Sequence, residues 1–125
     1  MSYKNLEIWR LANEIVIEIH EMTLHDLPKF EMFEVSSQIR RSSKSIKSNI
    51  VEGYGRKHYQ QEFIHFLTIA LGSTAETSDH LETLFITKSL TDEKKFRDLE
   101  DKLDKIGRMI NRFIQSTHKR KSVGT

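Results

Sequence analysis

Apolar residues recur along this chain at the spacing of a helix face. Between Leu6 and Met22, the positions Ile8, Ala12, Ile15, Ile19 and Met22 are separated by four, three, four and three residues, which puts them on one side of a helix. The stretch TLHDLPKFEM loses that period and holds Asp26 and Pro28, as a connector does. A second helix is predicted from near Phe33. Its stripe combines Val35, Ile39, Ile46 and Ile50 with Ser42, Ser43 and Gly53, and side chains that small let a neighbouring helix come close. Gly53 and Gly55 flank Tyr54 and are expected to supply the positive φ that ends a helix cheaply. In the third segment Phe63, Leu67, Ala70, Thr74, Thr77, Leu81 and Leu84 repeat at four, three, four, three, four and three, the seam of a helical bundle. Thr91 is the expected N-cap of a fourth helix, with Asp92 and Glu93 in its first turn, where the helix dipole favours negative charge. The seam of that helix is Phe96, Leu99, Leu103, Ile106, Ile110 and Phe113.

Four amphipathic helices with short connections predict an all-α fold, an antiparallel up-down-up-down four-helix bundle over residues 1–118. Residues 119–125 read as a frayed basic tail. At 125 residues there is room for one core, and with one Pro and five Gly a turn-rich all-β chain is not expected. The apolar surface is wider than one seam. Trp9, Leu11 and Val16 widen the stripe of the first helix, Ile17 lies nearly opposite it, and Ile64, Ile69 and Ile86 leave the seam of the third. Two readings stand: a helix that touches two neighbours needs a broad face, or the chain associates with copies of itself.

Charge sharpens the picture. Residues 1–34 carry three Lys or Arg against seven Asp or Glu; residues 35–58 carry six against one; residues 59–88 carry one against four; and residues 89–125 carry ten against six. Acidic and basic helices thus alternate, and in an antiparallel bundle they can pair across each boundary and help to set which helices are neighbours. A second reading concerns the basic stretch itself. Arg40, Lys44 and Lys47 share one narrow sector of the second helix with Arg41 beside it, away from the isoleucines, and Arg56 and Lys57 follow at the turn. Such a ridge repels itself unless something anionic lies alongside. These six residues are the candidate nucleic-acid-binding set. Ser43, Ser48 and Asn49 are available as hydrogen-bond donors, and Tyr54, His58 and Tyr59 as stacking surfaces for unpaired bases. A sequence pI of about 8.9 only approaches the strongly basic footprint of a dedicated binder.

Catalytic chemistry finds little support. The chain has no Cys, which removes thiolate metal sites and Cys nucleophiles and suits a reducing compartment such as the cytoplasm. No stretch is apolar enough to span a bilayer, and the N-terminus lacks the form of a signal peptide. Glu62-x-x-His65 has the spacing of di-iron bundle ligands but occurs once, and it flanks the seam rather than joining it, so a solvated pair is expected and no metal. Glu76, Asp79 and His80 read as surface charges. No cofactor, catalytic residue or small-molecule substrate is expected. Glu52 is the one acid of the basic stretch, and Arg56, Arg41 or another helix can supply its partner. With Gln38, Asn49 and Gly53 it is expected to serve structure.

The run Gln38-x-Arg40-Arg41, Ser45-Ile46, Asn49-Ile50-Val51-Glu52-Gly53 and Arg56 resembles the hallmark of the 23S ribosomal RNA intervening-sequence proteins. Leu6-x-x-Trp9-x-x-Ala12, Pro28-x-x-Glu31 and Phe66-Leu67-x-x-Ala70-x-Gly72-Ser73-x-x-Glu76 extend the similarity over nearly the whole chain. Ser42, Ser43 and Val51 depart from the small Ala-like residues of that pattern and bear only on local packing. The resemblance implies a four-helix bundle that assembles as a ring-shaped homopentamer, with no established biochemical activity. The accessory protein of diversity-generating retroelements, which binds nucleic acid and a reverse transcriptase, shares that architecture.

Overall fold

A computed structural model describes the backbone of residues 2–124 and the side chains of residues 2–119. The helices are α1 (Glu7–His25), α2 (Val35–Gly55), α3 (Gln60–Ile86) and α4 (Glu93–Gly124), with 3₁₀ turns at Tyr3–Asn5 and Lys29–Phe33. The backbone of residues 119–124, expected as a frayed tail, is included in α4. All the seam positions named for α1 and α3 are buried. In α4 the seam closes on Ile114 instead of Phe113, which is 40% exposed.

Side-chain contacts fix the topology. Asn13 near the start of α1 meets Lys47 late in α2, Ser42 and Ser45 of α2 meet Thr77 and Ser73 of α3, and Phe85 of α3 stacks on Phe96 of α4. Glu7 and Glu18 of α1 meet Lys105 and Lys102 of α4. Early residues face late ones at every boundary, so each helix runs antiparallel to both neighbours and α4 closes back onto α1. The bundle is all-α and up-down-up-down.

Helices α2 and α3 are held together by small polar side chains. Ser45 Oγ lies 2.8 Å from Ser73 Oγ. Thr77 Oγ1 lies 2.8 Å from Ser42 Oγ and 2.7 Å from the Ser73 carbonyl; its one hydrogen serves either acceptor. Further along the same seam, a Cβ on Gly53 would stand 3.4 Å from Phe66 Cβ and 3.6 Å from the Phe63 carbonyl oxygen. A methyl group there makes ordinary contact, and anything larger crowds α3. The expected positive φ is absent at both Gly53 and Gly55. The turn closes instead through the backbone N–H groups of Arg56, Lys57 and Tyr59, which donate to the Gly53, Tyr54 and Arg56 carbonyls. Left-handed backbone occurs at Lys88, with φ 65°, where α3 ends and the chain turns into α4.

Two further ends differ from expectation. Residues 29–33 form a 3₁₀ turn before α2, which starts at Val35 rather than near Phe33. The cap of α4 is Asp92 instead of Thr91: its Oδ1 accepts from the Lys95 N–H at 3.1 Å and its carbonyl from the Phe96 N–H. Buried Glu31 in the first connection accepts a 2.6 Å hydrogen bond from Ser89 Oγ in the last.

Opposite charges do pair across the α1–α4 boundary. Lys102 Nζ lies 2.6 Å from Glu18 and 3.1 Å from Glu14, Lys105 lies 3.8 Å from Glu7, and Lys95 bonds Asp26 just beyond α1. Burial lowers the proton affinity of the Lys102 ammonium, but its hydrogen bonds to Glu18 and Glu14 outweigh that effect and hold its pKa above the ordinary lysine value. The hydrogen bond to Asp26 raises Lys95 in the same direction.

Two predictions follow from this packing. Gly53→Ala should fold with little change in Tm, since helix propensity offsets light crowding, whereas Gly53→Leu should cost about 1–3 kcal/mol in chemical denaturation. A raised lysine pKa contributes stability that is full below the unfolded value, about 10.4, and is lost as pH rises through the folded one. Lys102→Met should cost up to about 1 kcal/mol at neutral pH, and its deficit in thermal melts should shrink above about pH 10.4.

Candidate nucleic-acid interface

Because Ile39, Ile46 and Ile50 point into the core, the remaining faces of α2 are fixed by the helical repeat. Positions 40, 44, 47, 51 and 54 follow one another at four, three, four and three, so they form one stripe along the side toward α1. Lys44 is exposed and has no bonded partner among the described residues. Arg40 is half-buried, with one Nη2 contact to the Met32 carbonyl at 3.5 Å, the weak limit of a hydrogen bond. Arg41 is exposed and donates to Ser37 Oγ of its own helix at 3.3 Å. Lys47 is more committed: its Nζ donates to Asn13 Oδ1 at 2.8 Å and lies 5.4 Å from the Trp9 ring centroid.

Among the described residues, none of Arg40, Arg41, Lys44 or Lys47 has a carboxylate at ion-pair distance. The charge match expected between α2 and its acidic neighbours is thus largely absent, and the alternating signs are used at the α1–α4 boundary instead. Arg40–Lys44, Arg41–Lys44 and Lys44–Lys47 are like-charge neighbours at helical spacing, each unfavourable by about 0.2–0.5 kcal/mol. Arg56 differs from the ridge. It pairs with Glu52 at 2.7 Å and Glu62 at 3.7 Å, and its guanidinium lies 4.9 Å from the Phe66 ring centroid. Glu52 therefore finds its partner one turn ahead, across the helix end. Lys57 is exposed, donates to Tyr54 Oη at 3.1 Å and sits 4.1 Å from that ring's centroid.

The polar donors expected beside the ridge are already engaged. Ser43 and Ser48 donate to the Arg40 and Ser45 carbonyls, and Asn49 Nδ2 donates to the Ser45 carbonyl and Oγ at 2.8 and 3.1 Å. Gly53 packs against α3, and Asn49 holds Ser45, which meets Ser73 across the α2–α3 seam. Gln38 is exposed and lines a small hollow of about 240 Å³ with Arg41, Ser42, Ser45 and Glu76. Glu62 and His65 are both exposed, and Glu76 pairs with His80 at 3.5 Å. Among the described residues no group of three His, Asp or Glu is placed to hold a metal ion, and no helix is long and apolar enough to cross a membrane.

A cavity of about 300 Å³ opens where the stripe ends. Leu6, Ile50, Phe63, Leu67 and Phe113 line it together with half-buried Tyr54 and exposed Lys57 and His58. Sequence reasoning singled out Tyr54 and His58 but missed the walls, because they come from four separate segments. Ile50, Phe63, Leu67 and Phe113 read as ordinary seam positions in the sequence, so nothing there marked a cavity.

A solved structure supports the same architecture. The crystal structure of a protein of unknown function from the S23 ribosomal protein family of Bacteroides thetaiotaomicron is 27% identical, covers 86% of this chain and 97% of its own, and superposes with a TM-score of 0.78. No curated protein matches. The model of the family described as 23S rRNA-intervening sequence protein matches residues 4–112, which include the α2 stripe and the Gln38–Arg56 run, and the chain belongs to that family.

Proposed function

We propose that this protein is a non-enzymatic, cytoplasmic homo-oligomer, a pentamer, that holds RNA or a ribonucleoprotein by the basic stripe of α2. The observation that carries this reading is the cluster of cations on one stripe without carboxylate partners, retained despite the repulsion it imposes. Phosphate backbone needs spaced positive charge and no particular base, so binding should be sequence-tolerant. Arg40 and Lys44 are its principal contacts, because Lys47 also braces Trp9 and Arg56 is neutralised by two glutamates.

Self-association is supported by apolar side chains that the single chain leaves in solvent. Ile17, Ile69 and Ile86 are exposed on the helices, and Phe33, at 87% exposure, stands beside Phe30 and Met32 in the first connection. A folded single chain has no use for that much open apolar surface, whereas an assembly can cover it. The same surface favours a second reading, a purely structural or protein-interaction module that binds no nucleic acid.

Arg40→Gln with Lys44→Gln should reduce the log-log salt slope of single-stranded RNA binding by about 1.4 units and leave helix content unchanged. Absence of RNA affinity in the unaltered protein at low salt would favour the protein-interaction reading. Light scattering should return five times the mass of one chain; a monomer at micromolar concentration would remove the assembly claim.

A further inference from the structure

We infer that the cavity at the α2–α3 turn takes one unpaired base from the RNA strand whose backbone follows the α2 stripe, an inference that rests on the RNA reading above. Stripe and cavity are continuous. Positions 40, 44 and 47 lead through Val51 to Tyr54, which lines the cavity. From Lys47 to Tyr54 the helix advances about 10 Å, a distance that a short length of single strand spans.

The lining suits a base better than a phosphate. Phe63 and Phe113 meet edge to face, with centroids 6.4 Å apart and planes at 77°, and Phe113, 40% exposed, lines both this cavity and a second hollow with Met109, Arg112 and Ser116. An aromatic surface left open beside apolar walls is a stacking platform for any base, since every base has a π-face. Lys57 and His58, both exposed, line the same cavity and offer a cation and hydrogen-bonding groups to sugar and phosphate. A volume of about 300 Å³ lies at the small end of ligand cavities, which fits a single base and excludes a duplex.

The test compares oligoadenylate with an all-abasic ribose-phosphate strand of equal length on the full chain, at one salt concentration. Oligoadenylate is expected to bind at least about fivefold tighter, the worth of one stacked base. A 2-aminopurine placed in the strand should be quenched on binding. Phe113→Ala should erase the preference for bases, and His58→Ala, on the exposed rim where folding is not at stake, should weaken the binding of oligoadenylate more than that of the abasic strand. Equal binding of both strands, with 2-aminopurine unquenched, would overturn the base site while leaving the backbone ridge standing. Binding of neither strand would overturn both. A preference for bases that survives in both variants would place the stacking elsewhere and overturn the assignment to this cavity.

Discussion

The distance between α2 and α3 governs much of this structure. Along much of their boundary Ser42, Ser45 and Gly53 on one side and Ser73 and Thr77 on the other are too small to hold the backbones apart, while Phe63, Phe66 and Leu67 close over Gly53. Close helices leave little room between them for a long charged side chain. Arg40, Lys44 and Lys47 accordingly stand on the stripe turned toward α1, Arg41 lies exposed beside it, and the large apolar side chains that α2 buries in the core are Ile39, Ile46 and Ile50. Hydroxyl pairs across the boundary satisfy their own polar atoms there, which makes the close packing tolerable in a buried setting.

Charge is distributed unequally around the bundle for the same reason. Helices α1 and α4 meet through long side chains, and Lys102 reaches two glutamates one turn apart. Across α1 and α2 the corresponding lysine, Lys47, instead reaches an amide and an indole. The cations of α2 are therefore spared from internal pairing. Isolated exposed ion pairs are worth little, so the asymmetry costs the fold only slightly.

Much of the fold could be read from the residues, because α1 and α3 keep an unbroken helical period and every member of each seam is buried. The errors have local causes. A period of three and four drifts against the true repeat of 3.6, and by the end of α4 it points to Phe113 when Ile114 is the residue inside. Thr91 and Asp92 are both good caps, and only the backbone path chooses between them. Gly53 and Gly55 suggested a left-handed turn, yet the residue with positive φ is Lys88, which no propensity would nominate. The stripe of cations was legible from helical spacing alone, but its lack of carboxylate partners depends on which neighbours approach. The cavity depends on the meeting of four segments and had almost no local signature.

The hydrogen bond from Ser89 to Glu31 joins the two connections at one end of the bundle, across 58 positions of sequence. Neither connection can hold the other until both helical hairpins have formed and docked, since the loop to be closed is long and its closure entropy must be met by contacts already in place. The bond is therefore a late event on the folding path, and it marks the docking of the two halves rather than the formation of any helix.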